Sequence, residues 1–262
     1  PKWKNAFTLL LDTLWKKQEK NNIDVILLRD FEENNAAIHS FMLDHGFMKT
    51  CLPESHVISN LAAKNTEQYI RLLSSKKRYH IRKDALETAG WFKTEIVSDT
   101  HNLNHLYRLY ENVVDHSFEI NMFKLPKKLF EKIIKSPNWD VISLKLKPDY
   151  DPRSVPLPVA VEFSYKNADN YYPILIGLDY KFLDEAKVYK QLLFRILERA
   201  IHLRCKNIHF GMTASLEKRK LGAKLTSRVA YVQIKDTYDI SLLNLMDDGS
   251  SMKIKYNRII PH

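Results

Sequence analysis

Residues 158–235 read PVAVEFSYKNADNYYPILIGLDYKFLDEAKVYKQLLFRILERAIHLRCKNIHFGMTASLEKRKLGAKLTSRVAYVQIK. Two apolar stretches come first and predict strands at 158–166 and 171–178. A long amphipathic helix follows, with Tyr189, Leu192, Leu193, Ile196, Leu197, Ala200 and Ile201 on one face, wide enough to cover a sheet. Asn207 to Thr213 predicts a further strand, ending in HFGMT. A short basic helix closed by Gly222 leads into the last strand. Polar residues and glycines gather at the strand ends, which is where ligands reach an α/β sheet.

Upstream, apolar spacing predicts helices over 3–18, from Asn34 and Asn35 to Gly46, over 67–89, from Asn102, and from Pro126. Strands are expected at 24–29, at 47–60 with a break near Pro53, at 91–97 and at 141–147. DHGF (44–47) and KLGA (220–223) each close a second helix with a glycine, so the chain reads as two related halves.

The 262 residues are enough to bury a substantial core. With 45% hydrophobic residues, the composition is that of a globular chain rather than a disordered one. No apolar run reaches the length of a membrane span, so no integral membrane association is expected. Cys51 and Cys205 lie far apart without metal-ligand spacing, and read as two reduced core thiols in a cytoplasmic protein. No metal site is expected. Net charge is +10, which suits anionic ligands such as phosphates, nucleic acid or lipid headgroups. Part of it is local: Arg71, Lys76, Lys77, Arg78, Arg82 and Lys83 occur with no acid among them. A solvated helix face is the plain alternative.

Several segments together resemble the GNAT superfamily, and within it the FemAB-like acyl or aminoacyl transferases. IRLLSSKKRYHIRKDALETAGW (70–91) resembles that group's basic helix. GLDYKFLDEAKVYKQLLFRILERAI (177–201) resembles its strand, loop and long helix, through Gly177, Asp179, Tyr180 and Tyr189. HFGMTASLEKRKLGAK (209–224) resembles its glycine-ended strand and following helix, through Lys218, Gly222 and Ala223. The resemblance implies an α/β, mixed-sheet GNAT-like fold in tandem units, the first incomplete: residues 1–66 as the end of one unit and 67–262 as a second with its connecting helix.

It also implies transfer of an acyl or aminoacyl group from coenzyme A thioester or aminoacyl-tRNA to an amine. Glu162 shares a strand face with Ala160 and Ser164 and is the expected base, with a strand-edge carboxylate facing water as the alternative. Tyr180 and His116 are the other catalytic candidates. Gly177, Asp179, Gly211, Thr213, Lys218 and Lys220 are expected to hold the donor, and Glu119, Phe123, Arg78 and Arg82 the acceptor. One departure stands out. Coenzyme A-using relatives carry a glycine-rich loop before the long helix, whereas here LDYKFLDEAKVY has no glycine and places Asp184 and Glu185 near the helix start. A second function stays open: an inactive module of this fold that binds an anionic polymer, RNA or a cell-wall precursor.

Overall fold

The computed structural model describes residues 2–116, 124–150 and 157–235. The chain divides into two units, one formed by Pro1–Pro53 with Ser227–His262 and the other by Glu54–Thr226. The boundary expected at residue 66 therefore falls inside the larger unit.

In the smaller unit, α1 (Lys2–Asn21) precedes β1 (Val25–Glu32) and α2 (Ala36–Asp44). Asn35 caps α2 by accepting a hydrogen bond from the Ile38 amide. β2 (Met48–Ile58) then leaves for the larger unit. It passes through Pro53 without the expected break. β8 (Lys224–Ile234) returns and pairs antiparallel with β1, from Val25 opposite Ile234 to Glu32 opposite Arg228. Leu11, Phe41, Met42, Phe47 and Tyr231 form its core.

The larger unit starts with α3 (Thr66–Leu72) and α4 (Ser75–Ile81), the latter continued by a wider turn over Arg82–Leu86. The apolar spacing predicts a single helix over 67–89. The chain instead turns extended at Leu73 and Ser74, where Ser74 opens the second helix. Then come β3 (Phe92–Ile96), α5 (Leu103–His116), α6 (Lys127–Lys135), β4 (Trp139–Leu146), β5 (Ala160–Lys166) and β6 (Asn170–Leu178). α7 (Val188–His202), β7 (Asn207–Gly211) and α8 (Ser215–Lys220) complete it. Its strands lie in the order β2-β7-β6-β5-β4-β3.

The strand alternation read from sequence sorts residues onto two faces. Val141, Val161 and Phe163 pack against α5 and α6 through Leu106, Tyr110, Phe130 and Ile133. Ile142, Leu144, Ala160 and Leu178 pack against α7 through Leu192, Ile196, Leu197 and Ala200. Each such buried aliphatic side chain contributes about 1.5–3 kcal/mol relative to exposure. Cys205 is buried as expected, whereas Cys51 is exposed and is not a core thiol.

The feature that shapes the sheet lies between β6 and β7. They run parallel and pair only at Asn170 with Asn207 and Tyr171 with Ile208. Beyond that the two strands diverge, while β6 stays paired with β5 up to Leu178 and β7 pairs with β2 up to Gly211. A bulge in β6 sets Phe163 opposite Leu175 and Ser164 opposite Pro173, leaving Ile174 unmatched. Pro173 has no N–H to give a ladder, and it falls two residues after the last pair with β7. The proline and the bulge together account for a wedge that opens toward the carboxyl ends of both strands.

Candidate functional site

The carboxyl ends of β6 and β7 carry most of the chemistry. On the β6 side, Asp179 accepts a hydrogen bond from the Lys181 amide and starts a tight turn over Tyr180–Phe182. Tyr180 stacks on His116, the last residue of α5, with ring centroids 4.2 Å apart and planes 17° from parallel. Partial burial pushes the Tyr180 phenol above its ordinary pKa, so it stays a proton donor at neutral pH. His116 Nδ1 meets the Asn112 carbonyl at 2.8 Å, and Asn112 donates to the Leu178 carbonyl at 3.1 Å. The end of α5 is thereby tied to the end of β6. Two of the expected catalytic side chains, far apart in sequence, are brought together here.

Gly177 has a packing reason. A Cβ there would lie 2.5 Å from the Tyr110 backbone nitrogen, so α5 occupies the space on that side of β6. On that face Gly177, expected to hold the donor, makes room for α5 instead.

On the β7 side, Gly211 has a left-handed φ of +74°, and nothing lies within 4 Å of the Cβ it lacks. That turn and that open space suit the close approach of another molecule. Thr213 is exposed just beyond it. His56, buried in β2, sits against the same turn. Its Nδ1 meets the Gly211 carbonyl at 3.0 Å and its Nε2 meets Ser215 Oγ at 2.8 Å. Neither His56 nor Ser215 was singled out from sequence. The only trace is a small, polar strand-to-helix turn, GMTAS; His56 lies 159 positions away from its partner.

Glu162 is not where a base is needed. It is fully buried under α7, with its carboxyl against the Ser164 hydroxyl. Burial raises its pKa well above the ordinary value; the Ser164 hydrogen bond lowers it only in part, and Asp140 adds to the rise. A carboxyl without exposed surface has no path to an acceptor amine, so the expected role as base is corrected. It belongs to a polar set on the α7 face of β4, β5 and β6. There Asp140 receives two hydrogen bonds of 2.8 Å from Arg199 and one of 2.8 Å from Tyr171.

The two lysines of α8 are also engaged. Lys218 is buried and donates to the Phe210 carbonyl at 2.7 Å. Lys220 pairs with Glu217 at 2.9 Å and Asp84 at 3.3 Å. Holding a donor phosphate would require breaking these contacts, so the structure assigns them to packing α8. Arg78 donates to the Leu73 carbonyl at 2.6 Å and to Ser75, which secures the start of α4. Arg82 is exposed on the continuation of that helix. Glu119 and Phe123 lie outside the described residues.

The cations around the start of α7 are engaged in ion pairs. Lys187, at the helix start, has a left-handed φ of +52° and gives its ammonium to Glu87 and the Lys83 carbonyl. Lys190, in the first turn, is held by Asp84 at 3.1 Å. Asp184 and Glu185 are exposed beside them. Cations near the helix start are thus neutralised, and two carboxylates remain, which repel phosphate. Among the described residues no group of three or more His, Cys, Asp or Glu side chains could hold a metal ion, and no helix is long and apolar enough to cross a membrane.

A parallel strand pair that opens after two rungs, with a long helix between the strands, is the arrangement found in acetyltransferases of one superfamily, and residues 75–219 match the family model "Acetyltransferase (GNAT) domain". The chain belongs to the GNAT family. Its mixed sheet with helices on both faces is the α/β GNAT fold. Among solved structures, L-PGS from Bacillus licheniformis is similar at 11% identity with a TM-score of 0.62, over 93% of this chain and 78% of that one. FemX is similar at 12% identity with a TM-score of 0.63, over 92% and 79%. The C-terminal domain of a putative lysylphosphatidylglycerol synthetase from Agrobacterium fabrum is similar at 15% identity with a TM-score of 0.56, over 90% and 76%. At these identities the likeness shows the shared fold, consistent with the FemAB-like group of this GNAT family. No curated protein sequence matches the chain.

Proposed function

We propose that this GNAT-family protein transfers an acyl or aminoacyl group from an activated ester to an amine, with the wedge between β6 and β7 as the seat of the acyl arm. The observation that carries the reading is the two-rung pairing of those strands. Their separated edges leave backbone groups able to line an extended acyl chain, and acyl transfer needs such fixed donors near the reacting carbonyl. Tyr180 serves as a hydrogen-bond donor at the mouth, and His116 takes the first proton from the incoming ammonium to give the free amine.

The donor is read as an ester on a large anionic carrier, aminoacyl-tRNA being the class that fits. Two features support this over coenzyme A. The loop before α7 carries carboxylates where a diphosphate would lie. Lys76, Arg82 and Lys83 present an exposed cationic face along α4 and its continuation. The same face favours the second reading, a module without catalysis that binds an anionic polymer.

Thermal shift at moderate salt separates them. Aminoacyl-tRNA should give a saturable rise in Tm that exceeds the rise with uncharged tRNA, with radiolabel passing to an amine acceptor. Equal binding of charged and uncharged RNA, steeply weakened by salt and without transfer, would support the binding module instead. A large rise with acetyl-coenzyme A alone would overturn the choice of donor.

A further inference from the structure

We propose that Ser215 is a nucleophile, activated by His56, that accepts the acyl group before it reaches the amine. This rests on the reading that the wedge seats an activated acyl group.

The geometry begins with the carbonyl of Gly211. A carbonyl oxygen can only accept, so the contact at 3.0 Å places a proton on His56 Nδ1. In the neutral ring the other nitrogen, Nε2, then carries the lone pair. Ser215 Oγ lies 2.8 Å from it, and its hydroxyl donates into that lone pair. This is the relation of a nucleophile to its base, with a third group fixing the tautomer and the ring orientation. The third group here is a backbone carbonyl, as rigid as the strand that carries it.

Exposure matches the division of labour. His56 is 1% exposed, so its orientation is held by packing, while Ser215 is exposed. The turn that presents the serine is tight: Gly211 and Ala214 both have left-handed backbones, at φ +74° and +52°. Ala214 gains nothing from that conformation as an alanine, and such strain concentrates where geometry serves a function. Gly211 opposite His56 is also the last pair joining β7 to β2, so the turn starts at the open end of the wedge. Tyr180, stacked on His116 from the end of α5, follows β6, and Ser215 follows β7. The two strands are parallel, so both groups stand at the same end of the sheet.

The reaction balances without a further reactant. Ser215 Oγ bonds to the acyl carbon as its proton passes to His56 Nε2. The ester C–O bond breaks, and the proton goes on to the departing alkoxide. The amine nitrogen then attacks the acyl carbon, its proton moves to His56, and the bond to Oγ breaks as that proton returns to it. The net change is acyl group from ester to amine.

The probe for this step is p-nitrophenyl acetate, followed by acid quench and peptide mapping. The wild-type protein should carry one acetyl group on Ser215. Ser215→Ala should lose that acetyl while keeping its Tm. Ser215→Cys should regain it as a thioester. His56→Gln, whose amide can still reach the Gly211 carbonyl, should slow acetylation about 10²- to 10⁴-fold. Absence of acetyl-Ser215 in the wild type, or equal labelling in His56→Gln, overturns the proposal. A Ser215→Ala protein that moves aminoacyl groups to amines at the wild-type rate also overturns it and leaves the proposed transferase standing. Labelling of Ser215 in a protein that transfers to no amine would instead count against the transferase reading.

Discussion

Arg199 on α7 grips Asp140 on β4 through a pair of hydrogen bonds, each 2.8 Å long. Asp140 is almost buried, and burial alone would raise its pKa. Its hydrogen bonds from Arg199 and Tyr171 outweigh that and hold the carboxyl below the ordinary range. The pair pins the helix that covers the sheet to the strand two places from the wedge.

Removing the guanidinium leaves a buried charge with one hydroxyl partner. Arg199→Leu should destabilise the protein by about 3–5 kcal/mol in urea unfolding, and adding Asp140→Asn should recover part of this. The pH dependence follows from the sign of the shift. The contribution of Asp140 is fully present above its ordinary value of 3.8 and is lost as pH falls through the lowered folded value. An Arg199→Leu protein with unchanged stability would show that the pair carries no load.

Glu162 has the opposite sign. Its folded pKa is raised, so ionisation opposes folding once pH exceeds the ordinary carboxyl value of 4.5. Glu162→Gln should match the wild type near that pH and become the more stable of the two at pH 8. The gap should grow by up to about 1.4 kcal/mol per pH unit before it levels off. Paired denaturation curves at pH 4.5 and 8 measure it. A gap that stays constant with pH would mean the carboxyl is not held neutral.

Gly177→Ala drives a methyl group against the α5 backbone at Tyr110. Overpacking of this kind costs about 1–3 kcal/mol. The shift should also loosen the Asn112 hydrogen bond to the Leu178 carbonyl, and with it the setting of His116. Calorimetry should therefore show a lower Tm, and turnover should fall with it.

Tyr180→Phe keeps the ring that stacks on His116 and removes only the hydroxyl. For any donor and amine that support turnover, kcat should drop about 10²-fold with little change in Tm. An unchanged kcat would reduce Tyr180 to a packing role.

Much of the larger unit was legible in the sequence because local patterns there agree with tertiary packing. The alternation of Val161 and Phe163 against Ala160, Glu162 and Ser164 assigned both faces of β5, and the stripe from Leu192 to Ile201 assigned the inner face of α7. The strand ends near Tyr180 and Gly211 were located as well. Errors came where a residue's surroundings, rather than its spacing, decide its state. Glu162 reads as a base in the sequence because spacing gives its face but not its cover. Lys218 and Lys220 read as phosphate ligands in the sequence because Phe210 and Asp84, two of their partners, become neighbours only on folding.

Sequence alone settled most of the elements and which side of each is apolar, since both follow from a chain's own periodicity. Only the folded chain decided what stands beside what. Pro173 and the bulge after it mattered because β7 happened to lie alongside, and His56 met Ser215 because two strands far apart in the chain became adjacent. Hydrogen bonds and charge interactions act over a few ångströms of space, and separation along the chain gives no measure of that distance.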